Sequence, residues 1–363
     1  MSDLTFGFIG LGLIGGSVAR HLKKLNRGYT LIAYNRSIAP LNEANKDGVI
    51  DIICTDIDEN FSKCDYIFLC TPVEYNSIYL AKLKSLIKSD CMITDVGSVK
   101  THIHNEVIKL GLEANFIGGH PMAGSEKTGY SNSTDHLLEN AYYAITPTLK
   151  TNPNKIEEYR NLVADMGAIP FVIDYKEHDY VVASISHLPH VIASSLVNTI
   201  KHSDSPNETM KLLAAGGFKD ITRIASSSPE MWQQICLTNT DNIVTVIDGF
   251  VNNLNAFKDS ITNKDGNTIY NLFEESRDYR NSIGDNKRGL MDKSYFLYCD
   301  VIDEEGAIAT IATILATNHI NIKNIGIVHN REFEEAVLRI EFYDSESMDH
   351  SKEVLTRHKY TIY

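Results

Sequence analysis

Several groups of residues in this sequence have types and spacings that could do chemistry. Gly10-Leu11-Gly12-Leu13-Ile14-Gly15-Gly16-Ser17 stands between an apolar run and a helical pattern, where a tight turn would aim backbone N–H groups from a helix start. Gly10 permits the turn, Gly12 lets the backbone approach a pyrophosphate, and Gly15 lets the helix pack on the strand. About twenty residues on, Asn35-Arg36-Ser37 follows the run Leu31-Ile32-Ala33-Tyr34. An NAD-specific site usually places an acidic residue there to accept from the ribose 2′-hydroxyl. Asn with Arg instead makes a neutral-to-positive pocket suited to a 2′-phosphate, so NADP is expected to be favoured or tolerated.

Further polar segments exceed what helix or strand patterning requires. They are Asp95-Val96-Gly97-Ser98-Val99-Lys100, then Gly118-Gly119-His120-Pro121-Met122-Ala123-Gly124-Ser125-Glu126-Lys127-Thr128-Gly129, and Ser186-His187-Leu188-Pro189-His190. Lys219-Asp220-Ile221-Thr222-Arg223 and the only tryptophan, Trp232, join them. Histidine is the side chain whose ordinary pKa suits proton transfer near neutral pH. A guanidinium grips a carboxylate through two parallel hydrogen bonds, and Asp220, three residues before Arg223, could hold that arginine in place. His187 and His190 are i, i+3 neighbours, with Pro189 between them able to bend the helix. No acidic or cysteine ligand set accompanies His120, His187 and His190, so no metal is expected. His187 alone reads equally well as a hydrogen-bonded core histidine.

The elements that must position these groups follow from pattern. Runs at Thr5–Gly10, Thr30–Tyr34, Tyr66–Thr71, Cys91–Asp95, Phe116–Gly119, Tyr142–Thr146 and Ile169–Ile173 alternate with helical stretches, and several are continuously apolar. That pattern predicts βαβ units and a parallel sheet covered on both faces. Thr71-Pro72 then closes a strand at the carboxyl edge, where doubly wound folds bind ligands. Beyond Asp174 the apolar residues Val181, Ile185, Leu188, Ile192 and Leu196 follow helical spacing, and helical patterns continue through Met210–Ala225 and Trp232–Phe257. The polar stretch Lys258–Asp292 reads as a helix remnant plus linker. From about Lys293 the order is strand, helix, strand, strand, helix, strand, a small ferredoxin-like unit. The expected domains are therefore 1–174, dinucleotide-binding; 175–285, all-helical; and 293–363, βαββαβ.

Composition bounds the function. At 363 residues the chain suits two or three domains, and 43% hydrophobic with 22% charged residues matches a globular protein. A net charge of −13 argues against nucleic acid or an anionic membrane as partner, although a local basic pocket can still hold an anion. The six cysteines form no C-x-x-C pair. Asp3 stands where a signal peptide would be basic, and no uninterrupted apolar run reaches a membrane-spanning length, so a cytoplasmic location is expected.

The glycine turn together with the HPMAGSEKTG and SHLPH segments resembles the prephenate dehydrogenase family, which includes arogenate dehydrogenases, over roughly residues 4–290. The resemblance implies a nicotinamide-dependent oxidative decarboxylation of prephenate to 4-hydroxyphenylpyruvate in tyrosine synthesis. It implies His120 as the base or hydrogen-bond partner of the ring hydroxyl, with Ser98 orienting the imidazole near the nicotinamide. Arg223 matches the arginine for a substrate carboxylate, His190 a substrate contact, and Glu126, beside Ser125, a gate or further contact. The cofactor contacts would be Gly10, Leu11, Gly12, Leu13, Ile14, Gly15, Asn35, Arg36, Ser37, Thr71, Pro72 and Ser98. The helical region is implied to be a dimerisation domain, and its apolar helices would leave large exposed patches on a monomer, so a homodimer is expected.

The unit from Lys293 resembles an ACT domain, a type that binds amino acids at paired interfaces, with Glu305 where a proline is usual before Gly306. Tyrosine, the end product of the implied pathway, is its natural effector. L-Arogenate is the alternative substrate, differing by an amino group in place of a keto group. A β-hydroxyacid dehydrogenase shares the sheet, but would be expected to carry a lysine on the long helix where this chain has Ser186–His190. A non-catalytic nicotinamide and amino-acid sensor is the alternative from another class. It has no need of His120, Ser98 and Arg223 together.

Overall fold

A computed structural model describes residues 4–124, 127–283, 295–301, 306–328 and 336–362. Residues 4–278 belong to one compact unit and those from Tyr279 onward to a second. The first unit opens with β1 (Thr5–Ile9), α1 (Leu13–Lys24), β2 (Thr30–Tyr34), α2 (Ile38–Lys46), β3 (Ile52–Cys54), β4 (Tyr66–Leu69), α3 (Val73–Leu83) and β5 (Met92–Asp95). These strands form a parallel sheet in the order β3-β2-β1-β4-β5. Successive residues along each strand point to opposite faces, and here both faces are buried. Phe6, Phe8, Tyr66 and Phe68 enter one core with Val18 and Leu22 of α1. Ile9, Ile67, Leu69 and Ile93 enter the other with Leu80 of α3. Phe8 stacks on Phe68 with centroids 5.3 Å apart. Truncating Phe68 to Ala there would cost about 3–5 kcal/mol.

The chain continues through α4 (Thr101–Leu110), β6 (Ile117–Pro121), β7 (Tyr142–Pro147), α5 (Pro153–Asp165) and β8 (Ile169–Val172). A parallel bridge from Ile93 to Phe116 joins β6 to the edge of β5. The expectation of an all-parallel sheet is corrected here, because β7 pairs antiparallel with β6 and β8 runs parallel to β7. Among the described residues only a three-residue 3₁₀ turn, Tyr130–Asn132, and no α-helix lies between β6 and β7 to carry the chain back to the starting edge, and β7 returns beside β6 in the opposite direction. The short, half-exposed β3 was also not anticipated.

The all-helical region is as expected: α6 (Tyr175–Val182), α7 (Leu188–Ser203), α8 (Thr209–Leu213), α9 (Gly216–Thr222), α10 (Pro229–Thr238), α11 (Thr240–Thr262) and α12 (Gly266–Ser282). Asp174 caps α6, its carboxylate accepting from the backbone N–H of Lys176 at 2.8 Å. A widened π turn, Ala183–His187, joins α6 to α7. Proline lacks an N–H and crowds the carbonyl four residues back, and for Pro189 that carbonyl lies inside the widened turn. By length and apolar composition Tyr175–Ser203 is the one described helix that could cross a membrane. In this fold its first turns are bonded into the dinucleotide domain, as described below. The stretch expected to be a helix remnant plus linker instead contains the 17-residue α12, broken from α11 at residues 263–265.

The second unit contains β9 (Tyr295–Val301), α13 (Ala307–Thr317), β10 (Ile322–Val328), β11 (Ala336–Phe342) and α14 (Ser345–Arg357). Its three strands form an antiparallel sheet in the order β10-β11-β9, and Ile362 bridges Cys299 on the free side of β9. Leu297, Ile311, Leu315, Leu338, Ile340 and Leu355 form its own core. Glu305 lies outside the described residues.

Candidate active site

The site is built along the carboxyl edge of the parallel sheet. Gly10 leaves β1 with φ +93°, and a Cβ there would lie 2.8 Å from the Cys70 carbonyl oxygen, so no side chain is tolerated. Gly12, the N-cap of α1, is different: a Cβ on it would meet nothing within 4 Å. No protein neighbour demands glycine there, and the room lies over the N–H groups that open the helix. That is the fit a pyrophosphate requires. The N–H of Leu11 donates to Asn35 Oδ1 at 3.3 Å, and Asn35 Nδ2 donates to the Ser37 carbonyl at 2.9 Å. Both ends of the Asn35 amide are therefore engaged in bracing the turn, and Arg36 beside it is exposed.

Two adjoining cavities follow this edge, and Thr71 and Pro72 line both. One, of about 280 Å³, lies among Tyr34, Arg36, Tyr75 and Tyr79, and has the aromatic walls an adenine requires. The other, of about 330 Å³, has Gly97, Ser98 and Val99 on one side and Glu230, Gln234 and Thr238 of α10 on the other. Ser98 thus lies in the cleft between the sheet edge and the helical region.

His120, the last but one residue of β6, is half-buried, and a lattice of buried polar groups holds it. Asp95, at the end of β5, accepts from the N–H of Gly119 at 3.2 Å and pairs with Lys100 Nζ, which also donates to the Gly119 carbonyl at 2.7 Å. The backbone just before His120 is thereby fixed. Its ring Nδ1 lies 2.9 Å from His178 Nε2, and His178 Nδ1 lies 2.8 Å from Asp179 Oδ1. The Asp179 carboxylate also accepts from the backbone N–H groups of Lys100 and Thr101, each at 2.7 Å, where α4 begins. Burial works to raise the Asp179 pKa, but the bonds from His178, Thr101 and Lys100 outweigh it and hold the carboxyl below its ordinary value. Burial pulls the His120 pKa well down, helped by the neighbouring charges of His178, Lys100 and His187, so at neutral pH its imidazole is neutral and can accept a proton. Lys100 is also lowered by burial, against the opposing pull of Asp95.

The second histidine cluster lies on the long helix. His190 stacks on Trp232 with centroids 3.9 Å apart, and its Nδ1 donates to the Ser186 carbonyl at 2.9 Å, leaving Nε2 as the outward atom. His187 is buried, 3.2 Å from the Asn239 amide that also donates to the Asp179 carbonyl. Burial holds its pKa down to about 4. Asp220 is exposed on α9, and Arg223 opens the short 3₁₀ turn that follows, so the two sit in successive turns. That turn packs against α7, the helix of His190. Ser125 and Glu126 lie outside the described residues. Among the described residues no group of three His, Cys, Asp or Glu side chains is arranged to hold a metal.

Residues 18–171 match the family described as "Prephenate dehydrogenase, nucleotide-binding domain", and residues 174–275 match "Prephenate dehydrogenase, dimerization domain". The chain belongs to the prephenate dehydrogenase family. It is 37% identical over 353 residues to a prephenate dehydrogenase of Bacillus subtilis, covering 97% of this chain and 95% of that one. It is 34% identical to that of Lactococcus lactis, covering 96% of each. A crystal structure of prephenate dehydrogenase from A. aeolicus with hydroxyphenyl propionate and NAD+ superposes with TM-score 0.74 at 33% identity, over 78% of this chain and 99% of that one. As a member of the prephenate dehydrogenase family the chain is an oxidoreductase that uses a nicotinamide cofactor, and the fold and glycine turn agree. Sequence reasoning overlooked four of the residues now seen around His120: His178, Asp179, Lys100 and Asn239. Lys100 stood in a polar segment already singled out. His178 and Asp179 sat in Tyr175-Lys176-Glu177-His178-Asp179-Tyr180, which reads as an exposed first helical turn.

Proposed function

We propose that this enzyme oxidises prephenate with NAD(P)+ to 4-hydroxyphenylpyruvate, CO2 and NAD(P)H. The observation that carries the proposal is His120, neutral and anchored at Nδ1, on β6 just past the Asp95–Lys100 pair that ends β5. The bound nicotinamide supplies a hydride acceptor. His120 accepts the proton of the ring hydroxyl as hydride leaves the same carbon, which relieves the positive character that builds there. Ser98 lies on the cleft wall, and its proposed role is to orient the His120 imidazole near the nicotinamide. Loss of the ring carboxylate as CO2 returns its bonding pair to the ring, making it an aromatic phenolate whose oxygen takes the proton back from His120, so the protein need only start the reaction. Arg223 and His190 would hold the substrate carboxylates, the former by a bidentate grip, and Glu126 and Ser125 are assigned to substrate from the sequence motif alone.

Arg36 supports tolerance of NADP, since no described acidic side chain lines its cavity. The helical domain would pair two copies into a homodimer, covering exposed Leu212, Leu213, Leu237, Val244 and Leu254. The C-terminal unit we take as ACT-like and tyrosine as its effector, on the strand order β10-β11-β9 with Ile362 beside β9. We take the enzyme to be cytoplasmic, a reading that its soluble substrates and cofactor support.

The test is the formation of reduced nicotinamide with prephenate and with L-arogenate against NAD+ and NADP+. His120→Asn should keep cofactor affinity and lower kcat by about 10²–10⁴-fold, as expected when a positioned base is lost. Wild-type turnover in that variant would overturn the assignment.

A further inference from the structure

The bonds around His120 fix more than its position. Asp179 is fully buried, at the N-terminus of α4, where the helix dipole and two backbone N–H donors favour a carboxylate. A carboxylate only accepts, so His178 Nδ1 must carry the hydrogen in the 2.8 Å bond between them. In the neutral His178 ring Nε2 is then a lone pair. The 2.9 Å contact to His120 can be a hydrogen bond only if His120 Nδ1 is the donor. That leaves Nε2 as the basic atom of His120.

We infer that His178 is a positioning residue that sets the tautomer of His120, so that Asp179, His178 and His120 form a relay whose outer end, His120 Nε2, takes the substrate proton. This rests on the proposed role of His120 as base. The proton leaves the ring hydroxyl and arrives at His120 Nε2, while the hydride goes to the nicotinamide. The chain gains one proton and the charge it brings. The imidazolium Nδ1–H becomes a stronger donor to His178, whose far side is held by the Asp179 carboxylate. Among the described residues, the remaining charged or titratable groups facing His120 are Lys100, paired with Asp95, and His187, tied to Asn239. Neither supplies an acceptor to His120 Nδ1. His178 is 2% exposed and is the side chain that does.

His178→Gln and His178→Phe in the full-length enzyme test the inference. Gln keeps an acceptor for His120 Nδ1 but lacks the basicity of imidazole. It should lower kcat by about 10- to 100-fold and move the acid limb of the kcat–pH profile to lower pH, because the imidazolium then has only a weaker acceptor for its Nδ1–H. The KM for prephenate and the Kd for NAD+ should stay within about twofold. Phe removes the acceptor, and its kcat should approach that of His120→Asn. Nitrogen-15 spectra of histidine-labelled enzyme should show His120 protonated at Nδ1 in the wild type, with that pattern lost in His178→Phe. If both variants keep the wild-type kcat and pH profile while His120→Asn does not, the relay is wrong and the base assignment survives. If His120→Asn is itself wild type, both fall. A wild-type His120 protonated at Nε2 also overturns the relay, as does activity lost only through KM and thermal stability.

Discussion

Asn35 and Leu11 are joined across the mouth of the glycine turn, the asparagine oxygen accepting the Leu11 N–H at 3.3 Å. This bond ties the end of β2 to the loop after β1, so the residue in the usual ribose-reading position is occupied in holding the loop.

On the proposed function, discrimination at the 2′ position would fall on Arg36. Arg36→Asp should turn the preference toward NAD+, exchanging a cation that meets a 2′-phosphate for a carboxylate that accepts from a hydroxyl and repels phosphate. The kcat/KM ratio for NADP+ over NAD+ measures this. An unchanged ratio would show that Arg36 does not read the ribose.

Arg223→Ala should raise the KM for prephenate by the equivalent of about 2–4 kcal/mol, the cost of leaving a carboxylate without its charge-assisted partner. Cofactor affinity should hardly move. The opposite pattern, with only the cofactor KM raised, would put the clamp elsewhere.

Two buried histidines make stability depend on acid. Burial holds both His104, stacked on Tyr175 with centroids 4.2 Å apart, and His187 at a pKa of about 4. In the unfolded chain each returns to about 6.5, so between those values the unfolded state binds more protons. Their contribution is complete above about pH 6.5 and is lost as pH falls toward 4, with about 2 kcal/mol per histidine gone by pH 5. Tm measured from pH 7 to pH 5 should fall, and should fall less steeply in His104→Phe even if that variant starts lower. Parallel slopes would exclude His104.

Every described residue assigned here to cofactor or substrate lies in the first unit. A chain ending before Lys293 should therefore still turn over prephenate but lose its response to tyrosine, a coupling of about 1–3 kcal/mol in the full chain. Activity against tyrosine concentration for both chains decides it. Equal inhibition would place tyrosine in the prephenate pocket and leave the C-terminal unit structural.

Much of this was legible because local chemistry dictates it. Gly10 and Gly12 stand where only glycine suits the turn or the approach of a ligand, and continuous apolar runs such as Tyr66–Leu69 can only be strands covered on both faces. What depends on distant partners was not. The reversal of β7 shows only in its pairing with β6, since its own residues would suit either direction. His178 meets His120 across 58 residues of chain, and nothing near it in sequence marks it as buried. His187, open to two readings in the sequence, is seen in contact with Asn239 and Trp232, both on the helical side.

The widened turn at Ala183–His187 changes the phase of a helix. In an unbroken α-helix, nine residues separate His178 and His187 by about 180° of rotation, placing them on opposite faces. One extra residue in the turn takes up about 100° of that and brings them to within about 80°. The two halves of the rod are thus indexed to different partners, the first to α4 and His120, the second to Trp232, with Asn239 bonded to both. Deleting one residue from this turn would restore a regular helix and turn one half away from its partner by about a quarter of a revolution, although every side chain that touches substrate would still be in the chain.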